Sequence, residues 1–597
     1  MQFAKLATYF EKLEATSSRL ALIDILSDLF KHVSKQEIDT VIYLAQGRIA
    51  PFFAPIEMGM ADKTVASALA QTFGEKREHV LRLYAVKGDM GLVAQELSSK
   101  FSGKAGQSFP RSGISLRETK LSVEEVFDVL TQIAKTSGQG TVEKRIGLLS
   151  SLLKKLDSLS VKHLVRIPLG NTRLGIGDPT ILDGLALAVL HDRSKRKLLE
   201  KAYNETSDLG LIGKTLLEGG LKAVQKLTVT VGRPIRSELC ERLPNPQKVF
   251  EKMDAPVGAS LRGVHATFKW DGFRVQIHKD GNDVRMFSRN LEDMTHMFPE
   301  LIEGTLKQVK AKTAILDTEA LAYQPESEEF LPFQETTKRR RKHNITEVAK
   351  KLPLKAFVFD ILYVNEKSLI DTPLLQRIDI LKKVVERDDI LVPSPGAIVS
   401  DPSKLQLMLD DAISKGLEGV VVKRVDSLYE AGGRNFNWVK LKRHSAGELH
   451  DTIDCVILGY IFGKGRRTAF GAGALLVGIY DEKNDEFVTI SKIGTGLTDE
   501  EWQSIKGKTK GLTLSHKLAR INSLIVPSVW VKPQIVIEVL ADEITRSPRH
   551  TAGKSDNESG YALRFPRLIS FRDKDKKAED ATTVKELIAM YKSQGKK

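Results

Sequence analysis

Near residue 226 the spacing of apolar residues changes, and one continuous core cannot serve both sides of that change. Before it, apolar residues recur at helical intervals, as in SRLALIDILSDLFKHV (18–33) and GLLSSLLKKLDSL (147–159). After it, short runs rich in Val, Ile and Phe stand between turn signals. A chain of 597 residues also exceeds what one core holds, and about 150 residues per domain suggests three or four.

Residues 1–225 therefore read as an all-α domain. Ser122 and Glu125, just before Val126 and Phe127, have the spacing of a capping box. The Gly/Ser-rich stretch 98–113 reads as a loop. From 226 to 447 the texture is α+β. Two alternating runs flank Asp280-Gly281, which predicts a hairpin, and helical spacing returns near 372–386 and 403–415. Beyond, in 448–597, TIDCVILGYIF, AGALLVGIY, DEFVTISKIG and PQIVIEVLADEI predict four or five strands of a small all-β barrel, and the tail YKSQGKK is expected to fray.

Composition narrows the function. Hydrophobic residues make up 41% and charged residues 28%, an ordinary globular balance. No apolar run reaches about 18 residues, so no membrane helix is expected. The first residues carry acids and no apolar h-region, so a secretory signal is not expected. Two cysteines exclude a disulfide framework and a Cys₄ zinc site, and fit a reducing, cytoplasmic setting. Lys and Arg number 91 against 76 Asp and Glu, a net +15. That excess points to a polyanionic partner such as nucleic acid, or to a surface that is merely basic.

The chemistry centres on Lys269-Trp270-Asp271-Gly272. Alternation puts Lys269 and Asp271 on one strand face, and a strand-end lysine before a Gly turn can enter a cleft. Alone, such a lysine is ordinarily just solvated. Further pieces follow in order: Ser288-Arg289-Asn290, AILDTEALAY with Asp317 and Glu319 on one face, Phe359-Asp360, Glu418 to Lys423, Arg434, Trp438 to Lys442, and Arg564-Phe-Pro-Arg567. Each has a plain structural alternative: carboxylates paired with nearby cations, a core phenylalanine, a salt-bridged surface pair. Alternation sets Glu418 and Lys423 on opposite faces, so a shared cleft requires a bend, for which Gly419 is the place.

In this order the pieces resemble the ATP-dependent DNA ligases of the covalent nucleotidyltransferase superfamily, the archaeal-type replicative ligases in particular. FSRNLED, ILDTEALAY, FDILYVN, EGVVVK, WVKLK and RFPR stand where that family's motifs stand. IPLGNTRLGIGDPTILDGLA (167–186) looks like its helical DNA-binding domain, and GKGRRTAFGAGALLVGIYD and EITRSPRHTAG look like its C-terminal OB-fold barrel. The resemblance implies a helical DNA-binding domain (1–225), an adenylation domain (226–447) and an OB-fold domain (448–597). It implies a lysyl-AMP intermediate on Lys269, AMP transfer to a 5′-phosphate, and attack by a 3′-hydroxyl, in DNA replication, repair and recombination. Glu319 and Glu418 are then the carboxylates for Mg²⁺ (or Mn²⁺), with Glu319 also among the nucleotide-binding residues, Phe359 stacks on adenine, and Arg274, Arg289 and Arg434 contact ribose or phosphate. Lys423, Lys440 and Lys442 supply positive charge, and Arg564 and Arg567 orient the pyrophosphate of ATP. One residue departs from the family: where an acidic residue ordinarily contacts the adenine amino group, this chain has Thr267. That leaves nucleotide selectivity open but not the reaction.

An RNA ligase or a capping guanylyltransferase would share only the part from about 226 onward. The NAD-dependent ligases need four zinc cysteines, and this chain has two. A catalytically dead DNA-binding scaffold is the remaining alternative, but Lys269, Glu319, Glu418, Lys440 and Lys442 are all present. The implied partner is nicked double-stranded DNA, bound by a monomer in the cytoplasm (on the nucleoid in a prokaryote). No motif for a sliding clamp is legible. Arg173, in GNTRLGIG, is a candidate DNA contact, and the run Lys338–Lys342 fits a phosphate contact or a solvated loop equally.

Overall fold

The computed structural model describes the chain apart from residues 105–120, 254–262, 324–329, 332, 342–343, 415–416, 443–450, 463–470, 495–496, 542, 548, 557, 565, 573–575 and 594–597. Contacts divide it into two compact units, Met1–Leu441 and Lys442–Lys597. Among the described residues no helix is long and apolar enough to cross a membrane.

Among the described residues the first unit begins with twelve α-helices between Phe3 and Val224. Their apolar stripes meet in one core that includes Phe3, Phe10, Leu26, Phe30, Leu164 and Leu185. Ser122 and Glu125 form the expected capping box at the head of helix Val123–Lys135. Two expectations are corrected. The run 147–159 is two helices, because Asp157 accepts the N–H groups of Leu159 and Ser160 and starts a new helix at Ser158. Of the Gly/Ser stretch 98–113, residues 98–104 continue helix Met90–Lys104, and the remainder lies outside the described residues.

The α+β part of this unit holds two sheets. One has the strand order β1 (Leu239–Arg242), β11 (Arg434–Lys442), β10 (Gly419–Arg424), β2 (Val264–Lys269), β9 (Gly396–Val399). The other runs β4 (Asp283–Ser288), β3 (Phe273–Asp280), β5 (Thr313–Ala322), β6 (Leu354–Val364), β7 (Lys367–Ser368), with β8 (Leu391–Pro393) beside β6. β3 and β4 are the expected hairpin: Asp280 pairs with Asp283, and Gly281 turns the chain at φ +58°. Helices Leu374–Val384 and Pro402–Ser414 occupy the two segments where helical spacing returns.

Helical and α+β parts are tied within the unit by the segment between them. The Arg236 N–H donates to Asn204, its guanidinium donates to Asp178 at 2.7 Å, and Ser207 donates to the Pro234 carbonyl at 2.6 Å.

The second unit is all-β with two helices. A curled sheet is built around β12 (Ile453–Ile461), β13 (Ala474–Asp481) and β14 (Glu486–Ile493), which enclose Ile457, Val477, Ile490 and Trp502. The strand count exceeds the expected four or five, because pairings as short as β15 (Thr513–Leu514) and β16 (Ile521–Asn522) leave no alternation to read. Strands β17 (Val529–Val531), β18 (Val536–Leu540) and β21 (Arg567–Phe571) join the same sheet, while β19 (Glu543–Ser547) and β20 (Gly560–Arg564) pair with each other in a separate two-stranded sheet. The fold class is therefore all-α, then α+β, then an OB-like β-rich domain. Of the tail expected to fray, Tyr591, Lys592 and Ser593 end helix Val584–Ser593, and residues 594–597 lie outside the described residues.

Candidate active site

Strand β2 turns Val264 and Ala266 into the core under helix Pro402–Ser414, which leaves His265, Thr267 and Lys269 on the other face. Its partner β10 sets Gly419 opposite Lys269, Val421 opposite Thr267 and Lys423 opposite His265. Gly419 has φ +142°, a backbone region open to glycine and costly for other residues. That twist lets Glu418, which plain alternation would point away, bring its carboxylate to 2.5 Å from the Lys269 amine. Gly272 closes the turn after Lys269, and a Cβ there would lie 2.4 Å from the Ala320 carbonyl oxygen of β5.

The second sheet supplies the other charges. Arg274 on β3 pairs across the register with Glu319 on β5. Its guanidinium is held by Asp317, with Nε at 2.8 Å from Oδ1 and Nη2 on Oδ2, and it donates to the Glu238 carbonyl at 2.8 Å and to the Tyr429 oxygen at 3.2 Å. Glu319 makes no hydrogen bond or ion pair among the described residues. Burial raises its pKa to about 7, against the opposing pull of the Lys269 and Arg274 charges. Burial raises the Cys240 thiol, against the opposing pull of the Arg274, Lys423, Lys440 and Lys269 charges.

Phe359 on β6 is half-buried, with the Arg274 guanidinium 5.3 Å and the Lys423 amine 4.8 Å from its ring and Trp438 edge-on at 6.0 Å. Lys423 lies deep in the same cluster. It is 1% exposed, donates to the Phe359 carbonyl at 3.2 Å, and sits 3.6 Å from both Asp360 and the face of Trp438. It supports the Phe359 ring from below. Arg274 likewise has most of its N–H groups committed to the protein. Thr267 is 4% exposed, and its hydroxyl makes a long 3.4 Å bond to the Val421 carbonyl.

Arg289 and Arg434 stand apart from this cluster. Arg289 is exposed after β4 and lines a cleft of about 640 Å³ whose far wall is Phe52, Asp178 and Tyr203 of the helical part. Arg434, exposed at the start of β11, pairs in register with Leu239, which lines the same cleft. Lys440 and Lys442 follow Trp438 on one face of β11, both half-buried. In the second unit Arg564 ends β20, donating to Glu543 at 3.0 Å, and Arg567 opens β21.

Other expected contacts turn inward. Arg173, at φ +58°, has its Nε 2.8 Å from buried Asp89 and donates to the Gly88 carbonyl, so its guanidinium braces its own loop. In the basic run, Arg339 is 1% exposed and paired with Glu300, Lys338 with Glu335 and Arg340 with Glu292, while Lys342 lies outside the described residues. Two groups had no signal in the sequence. Tyr429 and Glu238 reach the cluster only through tertiary folding: Tyr429 donates to Asp317 at 3.0 Å, and the Glu238 N–H donates to the Tyr429 oxygen at 3.1 Å.

Three family profiles match in chain order. "DNA ligase N terminus" covers residues 2–186, "ATP dependent DNA ligase domain" 238–442, and "ATP dependent DNA ligase C terminal region" 467–576. A "Probable DNA ligase" of Dictyoglomus turgidum is 45% identical over 596 residues, spanning 100% of this chain and 98% of its own. A "DNA ligase" of Sulfolobus acidocaldarius is 38% identical over 602 residues, spanning 100% and 99%. Among solved structures, one titled "Pmar-Lig_PreS3" aligns over 95% of this chain and 99% of its own, with TM-score 0.50 and 16% identity, a likeness of fold. The chain belongs to the family of ATP-dependent DNA ligases.

Proposed function

We propose that the chain seals nicks in duplex DNA through a covalent AMP carried on Lys269. In the first step the Lys269 amine attacks the α-phosphorus of ATP; the bond to pyrophosphate breaks, and the amine's proton is lost. In the second, the 5′-phosphate at the nick attacks the same phosphorus and the lysine leaves. In the third, the 3′-hydroxyl attacks the activated 5′-phosphate and AMP departs. The observation that carries this reading is the strand-end amine of Lys269 held 2.5 Å from Glu418, among cationic side chains. The cationic side chains offset charge on the reacting phosphate.

Arg274, Lys440 and Lys442 are the proposed phosphate-facing cations of the adenylation domain, with Phe359 as the adenine platform and Lys423 beneath it. Thr267, on the same face of β2 as Lys269, is proposed to line the base, and Arg564 and Arg567 to meet the pyrophosphate. Arg289 and Arg434, in or beside the cleft, suit phosphate of ribonucleotide or DNA. Glu319 and Glu418 fit a Mg²⁺ or Mn²⁺ ion: both are hard oxygen donors near Lys269, and the charge on Glu319 is penalised by burial until a cation relieves it. Bound there, the ion would supply positive charge to the phosphate oxygens. The helical domain is proposed to grip duplex DNA through its backbone, without sequence preference, because a nick falls anywhere. We take the enzyme as a cytoplasmic monomer, with a sliding clamp as a candidate partner.

The test is incubation with α-labelled ATP and Mg²⁺, then denaturing electrophoresis. One acid-labile label per chain is expected, lost in Lys269→Arg because a guanidinium stays protonated. Label retained by that variant would overturn the assignment.

A further inference from the structure

The Tyr429 hydroxyl joins three segments that are distant in sequence. It accepts from the Glu238 N–H at 3.1 Å and from Arg274 Nη2 at 3.2 Å, and donates to Asp317 Oδ2 at 3.0 Å. A hydroxyl has one donor and two acceptor positions, so this one is saturated. The ring is 4% exposed and fixed edge-on to Trp438 at 5.8 Å, and the Tyr429 N–H is tied to the Ile370 carbonyl at 2.9 Å. Packing thus sets where the hydroxyl sits, and the hydroxyl sets Asp317 and Arg274. Asp317 lies two residues before Glu319, next to a register shift in β5, and Arg274 stands opposite Glu319. A buried Asp317–Arg274 pair alone leaves room for both groups to pivot; a third partner from another loop removes it.

We propose that Tyr429 is a positioning residue for self-adenylation, holding Arg274 and the Asp317–Glu319 strand in register with Lys269. The inference rests on the reading of this site as the nucleotide site. Tyr429→Phe removes only the oxygen. It leaves the Glu238 N–H without an acceptor and frees one edge of Arg274. Labelling at saturating ATP should slow by about tenfold to a hundredfold, with the half-saturating ATP concentration changed less than about threefold. Two further measurements separate positioning from general loosening. In an Arg274→Gln background, over labelling times of hours, adding Tyr429→Phe should slow the reaction by much less than it does in the wild type, since much of the Tyr429 effect runs through Arg274. Ile370→Ala, a cavity in the same cluster, should lower the thermal midpoint at least as much as Tyr429→Phe while slowing labelling less.

Wild-type labelling by Tyr429→Phe, fully multiplicative effects with Arg274→Gln, or equal slowing by Ile370→Ala at equal destabilisation would each overturn the proposal. If Tyr429→Phe does not fold, labelling by Ile370→Ala at a temperature below its midpoint decides: loss there refutes a role for the hydroxyl, and retention supports it. Failure of the nucleotide-site reading looks different, because Lys269→Arg would then keep its label.

Discussion

Two buried ionic clusters in the first unit use the same residue types to opposite effect. In the helical part Arg166 donates to both oxygens of Glu14, at 2.7 and 3.0 Å, and to Asp89, while Lys162 pairs with Glu14 at 2.9 Å and Glu11 at 2.6 Å. Burial would raise the Glu14 carboxyl, but Arg166 and Lys162 outweigh it and hold the pKa at about 2. In the α+β part burial wins: Glu238 rises to about 8 and Glu319 to about 7. The first network answers its own charges and fixes a shape. The second leaves carboxylates under-compensated, a state that favours an incoming cation and a phosphate to pair with the lysines and arginines.

The largest effect expected from breaking this contrast is at Glu319. Glu319→Gln should slow adenylation by about a hundredfold or more, while the thermal midpoint without ATP and Mg²⁺ holds or rises. Single-turnover labelling beside calorimetry checks both, and a large loss of stability would erase the contrast. Arg166→Met should do the reverse. It leaves Glu14 with Lys162 and Asp89 with Arg173 as their remaining cations, costing about 3 kcal/mol in the helical core, visible as faster amide exchange in helices Phe3–Glu14 and Ser158–Arg166, with adenylation by folded protein unchanged.

The pH dependence sharpens the same point, because the two carboxyls carry opposite signs. Glu14, depressed to about 2, contributes stability that is present above its unfolded pKa of 4.5 and is lost as pH falls towards 2. Glu238, raised to about 8, takes up a proton more readily folded than unfolded, so its contribution is present below 4.5 and is lost as pH rises through 8. Denaturant titrations should show Glu238→Gln gaining about 2–4 kcal/mol on the wild type between pH 5 and pH 9. The smallest effect belongs to a pair outside both clusters. Arg340→Ala, which breaks an exposed contact with Glu292, should shift stability by no more than about 0.5 kcal/mol in the same titration.

What the sequence revealed follows from how local each signal is. The β3–β4 hairpin and the Ser122 cap are decided within a few residues, and both stand where the pattern put them. The odd spacing of Glu418 and Lys423 demanded a bend, and Gly419 carries it as a positive φ. Signals failed where a single side chain overrode a period, as Asp157 does between two helices. They also failed where a charge was read without its partner. Lys423 and Arg173 were read without Asp360 and Asp89, counterions distant in sequence that only the fold brings to them. Tyr429 had no signal at all, since three bonds to three separate segments exist only after folding.

The chain has four tryptophans, and two of them border the proposed nucleotide site. Trp270, the residue after Lys269, lies flat on Phe357 with ring centres 3.6 Å apart and planes 10° apart. Trp438 is buried beneath the charge of Lys423 and edge-on to Phe359. The other two, Trp502 and Trp530, belong to the second unit. Intrinsic emission is therefore a built-in optical gauge. On the proposed reading, a nucleotide resting on Phe359 or bonded to Lys269 would alter the surroundings of two of the four indoles directly, so loading and discharge of AMP would be followed as changes in brightness and colour, with no dye attached.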